Sequence, residues 1–154
     1  MIYNKPAKEL FGEIEIGYIK TDDKFIIWQK YDKFSRAYFG VSNFWNLDRN
    51  IEADTELSWL EWDGNEVHIG FTEPDLLESK YFEAVSILKS WKSQLEKYSD
   101  SKFCIIMSYD NGDLIDEEDR EFSFTLRFWK EREGSVVISS INDFSQPVII
   151  DYCN

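Results

Sequence analysis

The sequence PDLLESKYFEAVSILKSWKSQLEKY, residues 74–98, decides the fold because it is the long amphipathic segment of the chain. Its apolar residues recur at spacings of three and four, which places them on one stripe of an α-helix. The stripe consists of Leu77, Tyr81, Ala84, Val85, Leu88, Trp91, Leu95 and Tyr98. A helix with one apolar stripe must bury that stripe against another layer. We therefore predict one long α-helix at residues 74–98 that packs on a β-sheet.

Short segments on both sides of this helix have the pattern of β-strands, with alternating apolar and polar residues or with many aromatic and β-branched residues. They comprise residues 13–19, 25–31, 37–44, 56–62 and 65–71 before the helix, and residues 102–109, 122–129, 135–141 and 148–152 after it. The connections are too short for crossover helices, which favours hairpins and a meander. The predicted fold class is α+β, with about nine largely antiparallel strands packed on one helix.

The segment ELSWLEWDGNEVHIGF, residues 56–71, has the clearest local signal. Asp63 and Gly64 separate two alternating runs. A two-residue type I′ hairpin turn needs positive φ at both central positions, and the Asp-Gly dipeptide is favoured there. In that register Leu60 lies opposite Val67, and the face toward the helix is apolar. The other face then places Trp59 beside His68 and places Glu61 opposite Glu66. We predict that Trp59 is covered by a partner or is an exposed aromatic residue.

Length and composition are those of a small globular protein. With 154 residues the chain is expected to form a single domain, residues 1–154, that is long enough to bury one core. No apolar run approaches the roughly 18 residues of a membrane span, and the first residues lead into no signal-peptide core. The two cysteines are too few for a disulfide framework. We therefore expect a cytoplasmic protein without a membrane partner.

The net charge of −13 is unevenly distributed. Residues 1–50 hold eight basic and seven acidic side chains, whereas residues 51–109 hold five and twelve, and residues 110–154 hold four and eleven. Nucleic acids and anionic membranes select basic surfaces, so direct binding of either is disfavoured. A basic protein partner is favoured, because complementary potentials accelerate association.

Few residues are available for catalysis or metal binding. His68 is the single histidine, so neither a zinc site nor a histidine-based triad is expected. A dyad of His68 with Cys104 or Cys153 is disfavoured, because Cys104 lies in an apolar run and is expected to be a buried structural thiol. The acidic stretch from residue 110 lacks the ligand and glycine spacing of an EF-hand, and no phosphate-binding glycine motif is present. The chain is therefore predicted to have no catalytic residues, no metal site and no cofactor.

Two acidic segments are the candidate partner-binding surface. One is the stretch DNGDLIDEEDRE, residues 110–121, and the other is the predicted hairpin. The candidate residues are Asp110, Asp113, Asp116, Glu117, Glu118 and Asp119 in the first segment, and Trp59, Glu61, Asp63 and Glu66 in the second. A solubilising surface is the simpler interpretation of such charge. The functional interpretation is a docking face on which acids attract a basic protein and exposed aromatics anchor it.

A short, strongly acidic, aromatic-rich chain with segments such as WLEWDGNEVHIGF and DNGDLIDEEDRE resembles the bacterial immunity proteins of polymorphic and contact-dependent growth-inhibition toxin systems. This resemblance implies a non-enzymatic protein that binds a cognate toxin domain, often a basic nuclease, and blocks its active site or substrate surface. It implies no particular topology, because such proteins occupy several unrelated folds.

Two other functions remain open at the level of the sequence. The first is a small-ligand or carbohydrate-binding domain that uses a cleft between the helix and the sheet. The second is a hydrolase that uses carboxylates alone, although the sequence indicates no particular pair of acids. The immunity-type inhibitor is the function that we predict.

Overall fold

The protein is described by a computed structural model that covers residues 1–17, 24–41, 45, 47, 50–112 and 120–153. Its helices are α1 (Lys5–Phe11), α2 (Asp54–Gly64) and α3 (Leu77–Leu95). Its strands are β1 (Ile2–Tyr3), β2 (Ile27–Tyr31), β3 (Ala37–Val41), β4 (Val67–Phe71), β5 (Phe103–Asp110), β6 (Phe122–Lys130) and β7 (Val148–Cys153). The fold is α+β with antiparallel strands, as the sequence predicts.

The strands form two sheets rather than one. A five-stranded sheet has the order β1-β7-β5-β6-β4, and β2 pairs with β3 in a separate two-stranded sheet. Every pair is antiparallel. The prediction of about nine strands is wrong, because the described residues form seven. The predicted meander is also wrong, since β7 returns to lie between β1 and β5, and α3 carries the chain across the sheet from β4 to β5.

Helix α3 confirms the amphipathic prediction for residues 74–98, with shorter bounds. Residues Pro74–Leu76 form a 3-10 turn, and the α-helix runs from Leu77 to Leu95. Its apolar stripe is buried against one face of the larger sheet; the fully buried members are Tyr81, Ala84, Val85, Leu88, Trp91 and Leu95. Each large side chain buried in this way contributes about 1.5–3 kcal/mol to folding. Of the helices in the described ranges, none is long and apolar enough to cross a membrane.

The predicted hairpin at residues 56–71 is wrong, because its first half is helix α2 and only its second half is a strand. The residues that α2 buries are Leu57, Ser58 and Glu61, which lie at helical spacing. Two of these three are polar, so the buried face has no apolar periodicity that would identify a helix. Asp63 and Gly64 form the last turn of the helix rather than a hairpin turn.

Three other predicted strands differ from the structure. Residues 13–17 are not in a strand, and the rest of the segment 13–19 lies outside the described residues. Strand β3 includes residues 37–41, and residues 42–44 of that prediction likewise lie outside the described residues. Residues 135–140 are irregular and lead into a 3-10 turn at Ile141–Asp143. This last segment crosses the sheet instead of joining it, so its apolar residues cover the sheet without pairing.

Helix α1 is not predicted from the sequence, and it depends on a buried asparagine. The side-chain oxygen of Asn4 accepts hydrogen bonds from the amides of Ala7 at 3.1 Å and Val148 at 2.9 Å. Its side-chain nitrogen donates to the carbonyl of Gln146 at 2.8 Å. Asn4 therefore caps the helix and also joins it to β7, 144 residues further along the chain. Only the first of these contacts is local in sequence.

The second face of the larger sheet is covered only in part. Its apolar half consists of Cys104, Ile106, Trp129, Val148 and Ile150. Trp62 from α2 and the irregular segment, through Val137, Ile138, Ile141 and Phe144, pack on that half. The other half of this face is polar, and its half-buried or exposed residues include His68, Ser108, Thr125 and Arg127. Strands β5 and β6 each contribute residues to both halves.

Candidate functional site

Helix α2 presents an exposed face that combines one aromatic residue with acids. Glu56, Trp59 and Asp63 lie at spacings of three and four, so they share one side of the helix. All three are exposed, and Trp59 is 46% accessible. We call these three residues the α2 outer face. Within the described part of the chain, the side chain of Trp59 makes no ring contact, hydrogen bond or ion pair.

The opposite side of α2 is held by a buried ion pair. Glu61 is fully buried, and its carboxylate accepts hydrogen bonds from the two terminal nitrogens of Arg132 at 2.6 and 3.0 Å. The same carboxylate accepts hydrogen bonds from the amides of Phe39 and Lys130, each at 2.9 Å. Glu61 therefore joins α2 to β3 and β6. Its prediction as a partner-binding residue is wrong, because no partner can reach a side chain that is enclosed by the core.

The carboxylate of Glu61 acts only as an acceptor here: its four hydrogen bonds all come from N–H groups of Arg132, Phe39 and Lys130. This arrangement matches the ionised form of Glu61. Complete burial raises the pKa of Glu61, whereas the Arg132 guanidinium and the two backbone amides act to lower it. Arg132 also donates to the hydroxyl of Ser58 and to the carbonyl of Ala37, each at 2.9 Å. The pair is thus embedded in a connected polar network, which fixes how α2 lies on the sheets.

Asn65, the residue that ends α2, extends the same network. Its side-chain nitrogen donates to the carbonyl of Phe39 at 3.0 Å, and its oxygen accepts the indole N–H of Trp45 at 2.7 Å. Because Asn65 is also fully buried, these bonds replace the water that it loses on folding. The hydrogen bonds of Glu61 and Asn65 therefore attach the inner side of α2 to both sheets, and the α2 outer face lies on the opposite side of the helix.

Glu66, another predicted partner-binding residue, lies just beyond α2 and is 43% exposed. Its carboxylate forms an ion pair with Arg127. The same guanidinium donates to the carbonyl of Trp62 at 2.8 Å and lies 4.9 Å from the centre of the Trp62 ring. Arg127 thus supplies the positive charge that the C-terminal end of α2 favours. The charge of Glu66 is partly neutralised, whereas Glu56 and Asp63 form no ion pair with any described residue.

Of the acidic stretch at residues 110–121, the structure describes only the ends. Asp113, Asp116, Glu117, Glu118 and Asp119 lie outside the described residues, so their role as contact residues stays a prediction. Asp110 is exposed at the end of β5, where it accepts a hydrogen bond from the amide of Gly112 at 2.8 Å. It pairs with Ser123 near the start of β6, whereas α2 contacts the far end of that strand at Lys130. Asp110 and helix α2 therefore lie at different ends of β6.

His68 does not lie beside Trp59, so that prediction is wrong. Its Nδ1 is 3.4 Å from the hydroxyl of Thr125, and its Nε2 is 3.6 Å from the carboxylate of Glu121. The imidazole is half exposed on β4. Cys104 lies four residues along β5 from Ser108, the residue level with Thr125. Because a strand rises about 3.4 Å per residue, Cys104 lies about 14 Å along the sheet from the position that Ser108, Thr125 and His68 share.

Both cysteines are buried free thiols, as the sequence predicts for Cys104. Cys104 pairs with Tyr152 and Cys153 pairs with Phe103 across β5 and β7, so the two thiols point to opposite faces of the sheet. Burial raises the pKa of both thiols, to about 12 for Cys153. In the described part of the chain no group of three or more His, Cys, Asp or Glu residues is arranged to hold a metal ion.

We expect both thiols to resist alkylation in the folded protein. At pH 8 a thiol with a pKa near 12 is about 0.01% thiolate, whereas a free cysteine is roughly a quarter ionised. Iodoacetamide should therefore modify the native protein at least about a thousandfold more slowly than the protein in urea, as measured by mass spectrometry. Rapid alkylation of the native protein would show that Cys104 or Cys153 is accessible and activated.

A groove between α3 and the edge strand β4 is the cleft that the ligand-binding alternative requires. Its volume is about 230 Å³, and its walls include Ile69, Ile87, Lys80 and Glu83. Lys80 and Glu83 pair with each other at 3.0 Å on α3. The groove is smaller than the roughly 300–1,000 Å³ of typical small-molecule sites. The main contact between α3 and the sheet is filled by core side chains.

Comparison of the chain with protein-family models, with curated proteins and with solved structures found no match.

Proposed function

We propose that this protein is a non-enzymatic inhibitor of the immunity type, which binds a cognate toxin domain with a basic surface and blocks its active site or substrate surface. The observation that carries the proposal is the α2 outer face, where Trp59 is exposed between Glu56 and Asp63. Trp59 supplies an aromatic anchor, and Glu56 and Asp63 supply the flanking acids, that a docking face for a basic protein needs.

The chemistry of this face favours a basic protein. Tryptophan is enriched among the residues that dominate binding energy, because it buries a large area and loses little conformational entropy. The flanking acids contribute mainly to specificity and to the association rate, through attraction of the opposite charge. The negative net charge of the chain extends this attraction beyond the contact itself.

Three carboxylates that are buried or half-buried have structural partners, which agrees with a binding role. Glu61 is paired with Arg132 within the core, and Asp32 forms hydrogen bonds with Arg36 in the turn between β2 and β3. On the other side of the sheet, Asp151 on β7 is paired with Lys92 on α3 at 3.0 Å. These contacts connect elements of the fold, and they place no carboxylate pair in a cleft.

The proposal is tested by co-expression of the tagged chain with the C-terminal part of the protein encoded immediately upstream, about 250 residues or one to two domains. We expect a stable complex that weakens as the salt concentration rises, because charge attraction between exposed groups is screened. The matched test uses the charge reversals Asp63→Lys on α2 and Glu9→Lys on α1, which packs on β1 and β7. Both change the net charge equally, but only Asp63→Lys should weaken the complex.

A well-folded chain that forms no complex with its neighbour would remove that neighbour as the partner. A complex that Asp63→Lys and Glu9→Lys weaken equally would contradict the α2 outer face as the contact, because only total charge would then matter.

The acidic stretch should act on the rate of association. Neutralising Asp116, Glu117, Glu118 and Asp119 together by Asn and Gln should slow association about tenfold and flatten its dependence on salt, with a smaller effect on dissociation. Stopped-flow mixing at several salt concentrations measures both quantities. A control with the same charge change neutralises Glu9, Glu13, Glu15 and Glu96, four exposed acids that lie outside this stretch of sequence. Equal rates for the two variants would exclude the stretch from the interface.

A further inference from the structure

A polar groove lies on the second face of the larger sheet, beside the part of that face that the irregular segment before β7 covers. Its volume is about 250 Å³. The floor consists of Ile106 and Ser108 on β5 and of Thr125 on β6, and the rings of Trp62 and Phe144 contribute to its walls. The groove is therefore formed by two neighbouring strands, helix α2 and the segment before β7. We call it the sheet groove.

The charges that line the sheet groove cancel. Arg127 and Glu66 both line it, and they form an ion pair with each other. A cationic ligand would meet the guanidinium, and an anionic ligand would meet the carboxylate. Desolvating either kind of ligand is costly unless it gains an unpaired opposite charge. The groove consequently favours a neutral ligand.

The sheet groove also contains hydrogen-bonding groups that the protein leaves unused. Ser108 is half-buried, and its hydroxyl forms no hydrogen bond with any described residue. The side-chain amide of Gln146, on the rim, likewise has no partner in the described ranges. Among the described residues, the hydroxyl of Thr125 has only its 3.4 Å contact with Nδ1 of His68. These hydroxyl and amide groups both donate and accept hydrogen bonds, so they match a ligand with several hydroxyl groups.

The aromatic walls add a requirement for an apolar surface on the same ligand. Phe144 offers flat apolar area, and Trp62 adds the part of its ring that Arg127 and Trp129 leave uncovered; burying such area against a ligand is favourable. A sugar ring combines an apolar C–H face with a rim of hydroxyl groups. The volume is below the range of drug-sized sites, which limits the ligand to about one ring.

We infer that the sheet groove is a binding site for a single neutral sugar ring, held against Phe144 and the uncovered part of the Trp62 ring, with hydroxyl groups directed to Ser108, Thr125 and Gln146. This site is separate from the α2 outer face and does not depend on the proposed inhibitor function. It also differs in place from the cleft between the long helix and the sheet that the sequence suggests. A free sugar or the terminal residue of a glycan would present the same ring.

The test is an NMR titration of the isotope-labelled full chain with individual neutral monosaccharides: glucose, galactose, mannose and N-acetylglucosamine. We expect at least one sugar to shift the amide signals of Ser108 and Thr125 and the indole signal of Trp62, with a dissociation constant of about 1–10 mM. Methylguanidinium chloride and sodium phosphate, at matched ionic strength, serve as charged probes. Both should leave these signals unchanged.

Two variants with the same chemical change provide the control. Ser108→Leu fills the sheet groove, whereas Ser93→Leu adds the same side chain to an exposed position on α3. The sugar-induced shifts should be lost in Ser108→Leu and kept in Ser93→Leu. If Ser108→Leu does not fold, Gln146→Ala on the exposed rim should weaken the same shifts at least threefold.

Three results would overturn the inference: no shift with any sugar, shifts that persist unchanged in Ser108→Leu or Gln146→Ala, or saturation of the groove by methylguanidinium or phosphate. A further titration with methyl glycosides separates the two sources of the ring, because a glycan terminus tolerates substitution at its anomeric oxygen and a free-sugar site does not. The toxin-binding experiment leaves these outcomes unaffected, so either proposal can fail alone.

Discussion

Replacing Glu61 by alanine should lower the free energy of unfolding by about 3–5 kcal/mol, because it leaves the buried Arg132 with only the exposed Asp54, at 3.7 Å, as a charged partner. The substitution also removes the acceptor for the amides of Phe39 and Lys130, of which the Phe39 amide is buried. Urea unfolding followed by tryptophan fluorescence measures the change. An effect of this size is a large fraction of the stability of a domain.

The matched control is Glu56→Ala, which removes the same side chain from the exposed side of the same helix. It should change the free energy of unfolding by less than about 0.5 kcal/mol. Arg132→Met should be nearly as harmful as Glu61→Ala, and the double variant should lose less than the sum of the two single losses, because both remove one interaction. A loss below about 1 kcal/mol for Glu61→Ala, or strict additivity, would contradict a stabilising network at this position.

Replacing Trp59 by alanine should weaken binding to the toxin domain by about 30-fold or more, which corresponds to at least about 2 kcal/mol. The expectation rests on the proposed function, in which Trp59 is buried at the centre of the contact. Because Trp59 is 46% exposed in the free protein and alanine is a good helix former, the fold should remain stable. Isothermal titration calorimetry gives the affinity, and the thermal transition of each variant checks folding.

Tyr31→Ala is the control for the loss of an exposed aromatic residue. Tyr31 is 64% exposed on β2 of the two-stranded sheet rather than on helix α2. Its replacement should leave the affinity for the toxin domain within about twofold. If Trp59→Ala binds as tightly as the unmodified protein, α2 is not the centre of the interface. If Tyr31→Ala has the larger effect, the partner binds the two-stranded sheet instead.

The candidate site was accessible to sequence reasoning only where the decisive property was local. The presence of Trp59 among acids is read from one segment, but the prediction of its exposure rests on a hairpin register, whereas the structure exposes it on helix α2. The burial of Glu61 does not follow from one segment, because its partner Arg132 lies 71 residues away and no local pattern identifies the pair. The sheet groove is likewise invisible in the sequence, since Trp62, Ser108 and Phe144 meet only through the packing of three separate elements.

The sequence by itself determined the elements whose buried face is apolar. Helix α3 and strand β6 follow from apolar periodicity, and strands β5 and β7 follow from short continuous apolar runs, because the burial of apolar area drives their packing and leaves its record in the chain. The tertiary structure alone decided the helical state of residues 54–64, whose buried face includes Ser58 and Glu61. Polar residues can be buried only when distant groups complete their hydrogen bonds. The strand order and the partial cover of the second sheet face have the same origin, since both depend on contacts between segments far apart in the chain.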